Sequence, residues 1–278
     1  MLNFKANHRK VIVADEGPEA VGLVTSGNPH DASSAHWNTA IECTGAAVQD
    51  LVHTENMVLA LSGVSCPVQL PPLQMAQDAG GLEGQGVTVQ VITERAFLDS
   101  VLRLIGQACA GDQLSIVMFY LSEAHVLRAL ELAAVRGVSC RIILDPNHDA
   151  FGRRKNGIPN RATAARLVRA GLPVRWADTH GEQCHTKMVL LEKHDGEASL
   201  ILGSANFTRR NIGGYNLEMD VLVRGSIHAP AFVSCEDYVS ELWENGGGRH
   251  YTADYSVYRD ESYGKRFLSW LMETTGMS

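Results

Sequence analysis

Four polar residue types recur at nearly the same offsets in two places of this 278-residue chain. Residues 8–15 read HRKVIVAD and residues 185–192 read HTKMVLLE. Each is His-x-Lys, then an apolar run, then a carboxylate seven residues after the histidine. The first is followed by VTSGN, with Ser26 and Asn28, and the second by LGSAN, with Ser204 and Asn206. His to Ser spans 18 and 19 residues, and His to Asn 20 and 21. Agreement at four positions marks a repeated supersecondary unit rather than coincidence. A short strand pattern then runs to glycine in both, NTAIECTG to Gly45 and NLEMDVLVRG to Gly225.

In a strand, residues i and i+2 face the same side, so each His and Lys project together. A pseudo-twofold between the copies would bring His8, Lys10, His185 and Lys187 to one cleft, with Asn28 and Asn206 beside them. Two imidazoles supply a nucleophile and a proton donor, and two ammonium groups supply charge for phosphoryl oxygens. That set suits a phosphodiester.

At these residues the chain resembles the phospholipase D superfamily, the enzymes with two HxKxxxxD motifs. The resemblance covers both motif regions and most of residues 87–225. It implies an α/β fold, a pseudo-twofold pair of mixed, largely parallel sheets flanked by helices. It also implies metal-independent phosphodiester hydrolysis or phosphatidyl transfer, as in cardiolipin synthases. One histidine would form a phosphohistidine and the other would act as general acid, with no cofactor and no metal. Asp15, Ser26, Asn28, Glu192, Ser204, Asn206 and Glu218 then have supporting roles. Glu192 stands where the family pattern has Asp. Aligning the copies on Gly45 and Gly225 places Asn38 opposite Glu218. The family's Glu at that place hydrogen-bonds the motif histidine. The expectation is that Glu218 orients His185, leaving His8 with an amide or with Asp31.

Beyond the repeat, strand and helix patterns alternate. Strand patterns cover 87–92, 114–120, 138–144, a run starting at 173, then 185–191, 199–202 and 217–223. Helical spacing covers 95–110, 124–136, 162–170, 228–244 and a short helix near 265–273. Residues 63–86, rich in Pro and Gly, read as a linker between a first lobe, 1–62, and a second lobe, 87–278. Ninety-eight residues precede the second motif after that linker but only seven precede the first. The first lobe is therefore expected to lack its opening βαβ half, to expose strand edges, and to depend on an upstream segment.

Charge bears on the substrate. The formal net charge is −7, which argues against a surface built for non-specific nucleic-acid binding. Yet residues 151–175 hold seven cations and no acid. Arg153, Arg154 and Lys155 lie in a Gly-rich loop after a strand, where α/β folds bind ligands, and form either a phosphate contact or a solvated loop. His36, just after the first motif, is a further candidate for the cleft. A phospholipid substrate with transient membrane-surface contact is preferred. A nuclease of the same superfamily and a non-catalytic domain are the alternatives. No apolar stretch reaches the ~20 residues of a membrane span, and residues 1–10 lack a signal's apolar core; the sequence leaves the compartment open between cytoplasmic and membrane-associated. Six scattered cysteines without a CxxC pair read as free, mostly buried thiols.

Overall fold

The computed structural model describes residues 6–16, 19–69, 86–150 and 153–276. The first unit holds β1 (Val11–Glu16), β2 (Glu19–Thr25), the short α1 (Asp31–Ser34), β3 (Ala40–Cys43) and α2 (Ala46–Leu61). Its strands form an antiparallel sheet in the order β1-β2-β3. Of the linker expected at 63–86, residues 70–85 lie outside the described residues. Val68 turns back onto α2 through two 2.8 Å hydrogen bonds with the Asn56 carboxamide.

Next come β4 (Thr88–Thr93), α3 (Arg95–Gln107), β5 (Gln113–Met118), α4 (Ala124–Val135) and β6 (Ser139–Leu144). The two-residue strands β7 (Asp149–Ala150) and β8 (Arg153–Arg154) make a small ribbon before α5 (Asn160–Arg169) and β9 (Val174–Ala177). The second motif occupies the approach to β10 (Lys187–Glu192), followed by β11 (Glu197–Gly203), α6 (Arg209–Ile212) and β12 (Met219–Ser226). The remainder is α7 (Pro230–Glu244), β13 (Thr252–Asp254) and α8 (Tyr263–Thr275). No helix among the described residues is long and apolar enough to cross a membrane.

Eight strands form one sheet in the order β13-β9-β6-β5-β10-β11-β12-β4. The α/β class is as expected, and the sheet is mixed. Parallel pairing is confined to β5–β6 and β6–β9, where helical crossovers join the strands. The remaining pairs are antiparallel; of these, β10 and β11 are joined by a tight turn too short for a crossover.

Period-two alternation gives this sheet two apolar faces. Along β10, Val189 and Leu191 join the core under α3, α4 and α5, while Met188 and Leu190 face the opposite side. On that opposite side lie Phe232, Val239 and Leu242 of α7 together with Val24, Cys43, Ala47 and Leu51 of the first unit. The first sheet thus buries its inner face on the second. Gly22 permits the helix to close on it, since a Cβ there would lie 2.4 Å from Leu51 Cδ1. On the side where β10 meets β5, β1 has no strand partner among the described residues.

A core shared in this way predicts shared unfolding. Replacing the fully buried Leu51 by Ala should cost about 2–5 kcal/mol. Urea titration followed by fluorescence and circular dichroism should give one coincident transition at lower midpoint. Two separated transitions would show that the units melt independently.

Candidate active site

Each motif histidine is held by the other motif. The backbone N–H of His8 donates to Leu217 O at 2.8 Å, and Leu217 N–H donates to Ala6 O at 2.9 Å. In the second copy, Trp37 N–H donates to Gln183 O at 2.9 Å. Leu217 precedes Glu218, and Trp37 precedes Asn38. These backbone links deliver Glu218 to His8 and Asn38 to His185. His8 Nδ1 lies 2.9 Å from Glu218 Oε2, and His185 Nδ1 lies 3.2 Å from Asn38 Oδ1.

The expected pairing of Glu218 with His185 is therefore reversed. Pairing within one copy is what an alignment along the chain suggests; a twofold axis exchanges the partners. Asp31, the other partner considered for His8, is an exposed residue at the start of α1. Both motif histidines also precede their strands; the His8 backbone pairs with Leu217, and Gln183, two residues before His185, pairs with Trp37.

The copies match in detail. Lys10 Nζ donates to His8 O at 2.7 Å, and Lys187 Nζ to His185 O at 2.7 Å. Ser26 Oγ donates to Asn38 Oδ1 at 3.3 Å, and Ser204 Oγ to Glu218 Oε2 at 2.6 Å. Each serine oxygen also accepts the next strand's N–H, Thr39 at 2.9 Å and Met219 at 3.0 Å. Glu218 is fully buried and accepts from Asn211 Nδ2 as well, so its carboxylate is fixed on both oxygens. Gly203 allows this crowding: a Cβ there would sit 2.5 Å from Met219 O.

Electrostatics place the groups in one site. Burial, and then the charge of Lys10, push the Lys187 ammonium down to about 7, while Glu218 and Asp220 oppose the change. Burial lowers Lys10 to about 8 against Glu218 and Asp220. Burial, then the charges of Lys187, Lys10, His8 and His36, hold His185 well below the usual imidazole range. Asn206 is buried with its Oδ1 lacking a hydrogen-bond partner. Asn28 sits in the turn before α1, its N–H donating to Ser33 Oγ at 2.9 Å. His36 tilts over His185 with ring centroids 5.9 Å apart, and its Nδ1 accepts Gln183 N–H at 3.1 Å.

The motif carboxylates lie elsewhere. Asp15 is exposed near the end of β1, opposite Ala20. Glu192 ends β10, 3.8 Å from Arg141, with its carboxyl raised to about 7 by burial and by Glu236. In the basic loop, Lys155 Nζ donates to Tyr120 OH at 2.9 Å. Phe119 stands between Tyr120, at 4.0 Å, and His185, at 4.9 Å between ring centroids. The side chains of Arg153 and Arg154 lie outside the described residues.

Two positioning residues escaped the motif reading. Arg9, the variable residue of the first His-x-Lys, reaches Glu94 at 2.6 Å, Glu55 at 3.2 Å and Thr54 O at 3.1 Å. It ties the approach of β1 to α2 and to the start of α3. Asp145, just past the end of β6, accepts Cys184 N–H at 2.8 Å beside His185 and Asn147 N–H at 2.7 Å. Burial raises its carboxyl to about 6 despite these donors. An x position and a loop Asp carry no periodic signal. Among the described residues, the His, Cys and carboxylate ligand atoms that converge closely enough for a metal are those of Cys109, Asp112 and His194, beyond the far end of β10.

The hydrogen bonds fix the His185 tautomer. Asn38 Nδ2 donates to Ser33 O at 2.7 Å and His36 O at 3.2 Å, so its Oδ1 faces the imidazole and Nδ1 carries the hydrogen. Nitrogen-detected NMR of histidine-labelled protein should find His185 neutral, protonated on Nδ1, without a titration step between about pH 7 and 5. The unfolded chain takes up that proton near pH 6.5 and the folded one does not. This group therefore removes stability as pH falls below about 6.5. A normal titration step would contradict the burial described here.

The family profile described as "Cardiolipin synthase, PLD-like domain" matches residues 101–243, just over half of the chain. No curated protein matches. Phosphatidylserine synthase from Haemophilus influenzae is similar over 99% of this chain and 70% of its own, at 13% identity and a TM-score of 0.60. Polyphosphate kinase from Porphyromonas gingivalis is similar over 98% of this chain and 39% of its own, at 14% identity and a TM-score of 0.54. The phospholipase D family member Nuc from Salmonella typhimurium aligns over 61% of this chain and 99% of its own, at 20% identity and a TM-score of 0.46. The structural likeness establishes the fold and the profile establishes descent: the chain belongs to the phospholipase D-like domain family of the cardiolipin synthases.

Proposed function

We propose that the chain cleaves or transfers phosphodiesters of phospholipid through a phosphohistidine. The reading rests on the two imidazoles held crosswise between two lysines, only one of them facing a carboxylate. Attack by a ring nitrogen on phosphorus builds positive charge on that ring. Glu218 lies against His8 to receive the Nδ1–H, as a buried acid does in a serine-protease triad. His8 is therefore assigned as nucleophile through Nε2, and His185 as general acid.

In the first step the His8 Nε2–phosphorus bond forms and the ester bond to the leaving oxygen breaks. His185 Nε2 gives its proton to that oxygen. In the second, neutral His185 takes a proton from water or an acceptor alcohol, whose oxygen displaces His8 from phosphorus. His185 needs a proton first, and the phosphodiester's negative charge, entering among the cations, favours it. Lys10 and Lys187, with the Asn28 and Asn206 carboxamides, neutralise the non-bridging oxygens. Ser26 and Ser204 fix Asn38 and Glu218. The apolar wall of Phe119 and Tyr120, with Lys155, and the acidic surface favour a lipid ester over a nucleic acid.

The test is release of headgroup from labelled phosphatidylcholine, -ethanolamine and -glycerol vesicles in EDTA, beside a plasmid-DNA arm. Acid-free quenching and peptide mass spectrometry should locate the phosphoryl group on His8. Glu218→Gln should lower turnover by about 10²–10⁴-fold, and Asn38→Ala by less. Phosphate found on His185 would exchange the two roles. Cleavage of DNA alone, or loss of activity in EDTA restored by a divalent ion, would refute the proposal.

The pH profile follows from the lysines. Their charge in the free site is lost as pH rises through about 7 for Lys187 and 8 for Lys10. Accordingly kcat/KM should decline above about pH 8, chiefly through KM. A rate still climbing to pH 10 would remove the lysines from phosphate binding.

A further inference from the structure

At the far end of β5 and β10 from the imidazoles, three side chains converge that the proposed reaction does not use. Asp112, fully buried, ends the turn leading into β5. Its Oδ1 accepts both His194 N–H, at 3.0 Å, and His194 Nδ1, at 2.8 Å. Its Oδ2 accepts Cys109 N–H at 2.9 Å and the Cys109 thiol at 3.3 Å. Sulfur, imidazole nitrogen and carboxylate oxygen all lie within 4.8 Å of one another. From the structure we infer that Cys109, Asp112 and His194 form a binding site for a zinc-class divalent ion, which pins the β5–β10 seam.

The donor set points to that class. Thiolate, imidazole and carboxylate together select borderline ions such as Zn²⁺ over Mg²⁺ or Ca²⁺, which take oxygen ligands. Zinc binds sulfur at about 2.3 Å and nitrogen or oxygen at about 2.0–2.2 Å, so ligand atoms around a tetrahedral ion stand roughly 3.3–3.7 Å apart. Of the present separations, Nδ1 to the Asp112 carboxylate is 2.8 Å and sulfur to it is 3.3 Å, so an ion entering between them would push the imidazole outward. Cys109 and His194 are exposed, which leaves a fourth position to water. The neighbouring cation, Lys193, is held by Asp195 at 2.7 Å and Glu197 at 3.1 Å.

The electrostatics agree with the geometry. Although burial opposes it, the donors from Cys109 and His194 hold the Asp112 carboxyl well below its usual range. The hydrogen bond to Asp112 pushes the Cys109 thiol up. Metal entry breaks that bond: the thiol releases its proton to solvent, sulfur binds the ion, and His194 binds through the Nδ1 that now faces Asp112. One proton leaves per ion bound, so affinity should rise with pH.

The site stands apart from the catalytic proposal. His194 is seven residues beyond Lys187 along an extended strand, roughly 20 Å away. Its occupancy should govern stability, leaving phosphodiester turnover unchanged. Sequence spacing concealed it, since Cys109 and Asp112 are separated from His194 by more than eighty residues.

The test uses the full chain, stripped with a chelator and titrated with Co²⁺ as an optical probe. A near-ultraviolet sulfur-to-cobalt charge-transfer band should saturate at one ion per chain and disappear on adding Zn²⁺. Cys109→Ser should abolish the band, Cys66→Ser should leave it intact, and His194→Ala should weaken binding at least ~10-fold. Zinc should raise the melting temperature of the wild-type chain but not of Cys109→Ser. No band, a band that survives Cys109→Ser, or one lost in Cys66→Ser would overturn the site.

Discussion

The exchange of partners across the pseudo-twofold is the constraint on which the rest of the site depends. His8 is fixed by a backbone bond to Leu217 and a side-chain bond to Glu218; His185 stands beside Asn38, whose neighbour Trp37 bonds to Gln183. Neither histidine is oriented by its own strand. The two sheets must therefore pack face to face before either imidazole has a defined direction, and the shared core of Val24, Leu51, Met188 and Leu202 supplies that packing. Arg9 reinforces it, joining the first motif to Glu94 at the start of the second unit.

Symmetry in the framework frames an asymmetry in the chemistry. The lysines, serines and backbone links match between the copies, whereas the buried acceptors differ, a carboxylate for His8 and an amide for His185. A carboxylate stabilises positive charge that develops on a ring, and an amide only fixes a tautomer. Two otherwise equivalent histidines thereby differ in the charge they can carry, and the roles proposed for them rest on that difference.

Much of this was legible in the sequence, for identifiable reasons. The repeated His-x-Lys and Ser-x-Asn offsets marked the residues that meet, because a recurring polar pattern survives independently of tertiary detail. The continuous apolar runs marked β5, β6 and β10, and helical spacing marked α3, α4 and α7. What escaped were relations rather than elements. The Glu218 partner was misassigned because linear alignment compares copies side by side, while the fold places them about an axis. The antiparallel pairing of β10 with β5 and of β12 with β4 was hidden because these strands are far apart in the sequence. Half of the cysteines are buried, Cys43, Cys140 and Cys184, while Cys66 and Cys109 are exposed, since a lone cysteine in a turn carries no periodic signal.

Because each reactive ring is completed by the opposite sheet, assembly itself acts as a safety interlock. A nascent or partly melted molecule carries both imidazoles on loops without their buried acceptors. It is then an ordinary histidine-bearing polypeptide. Both acceptors are in place only when the two sheets have closed, so the site is a property of the assembled molecule and of neither half.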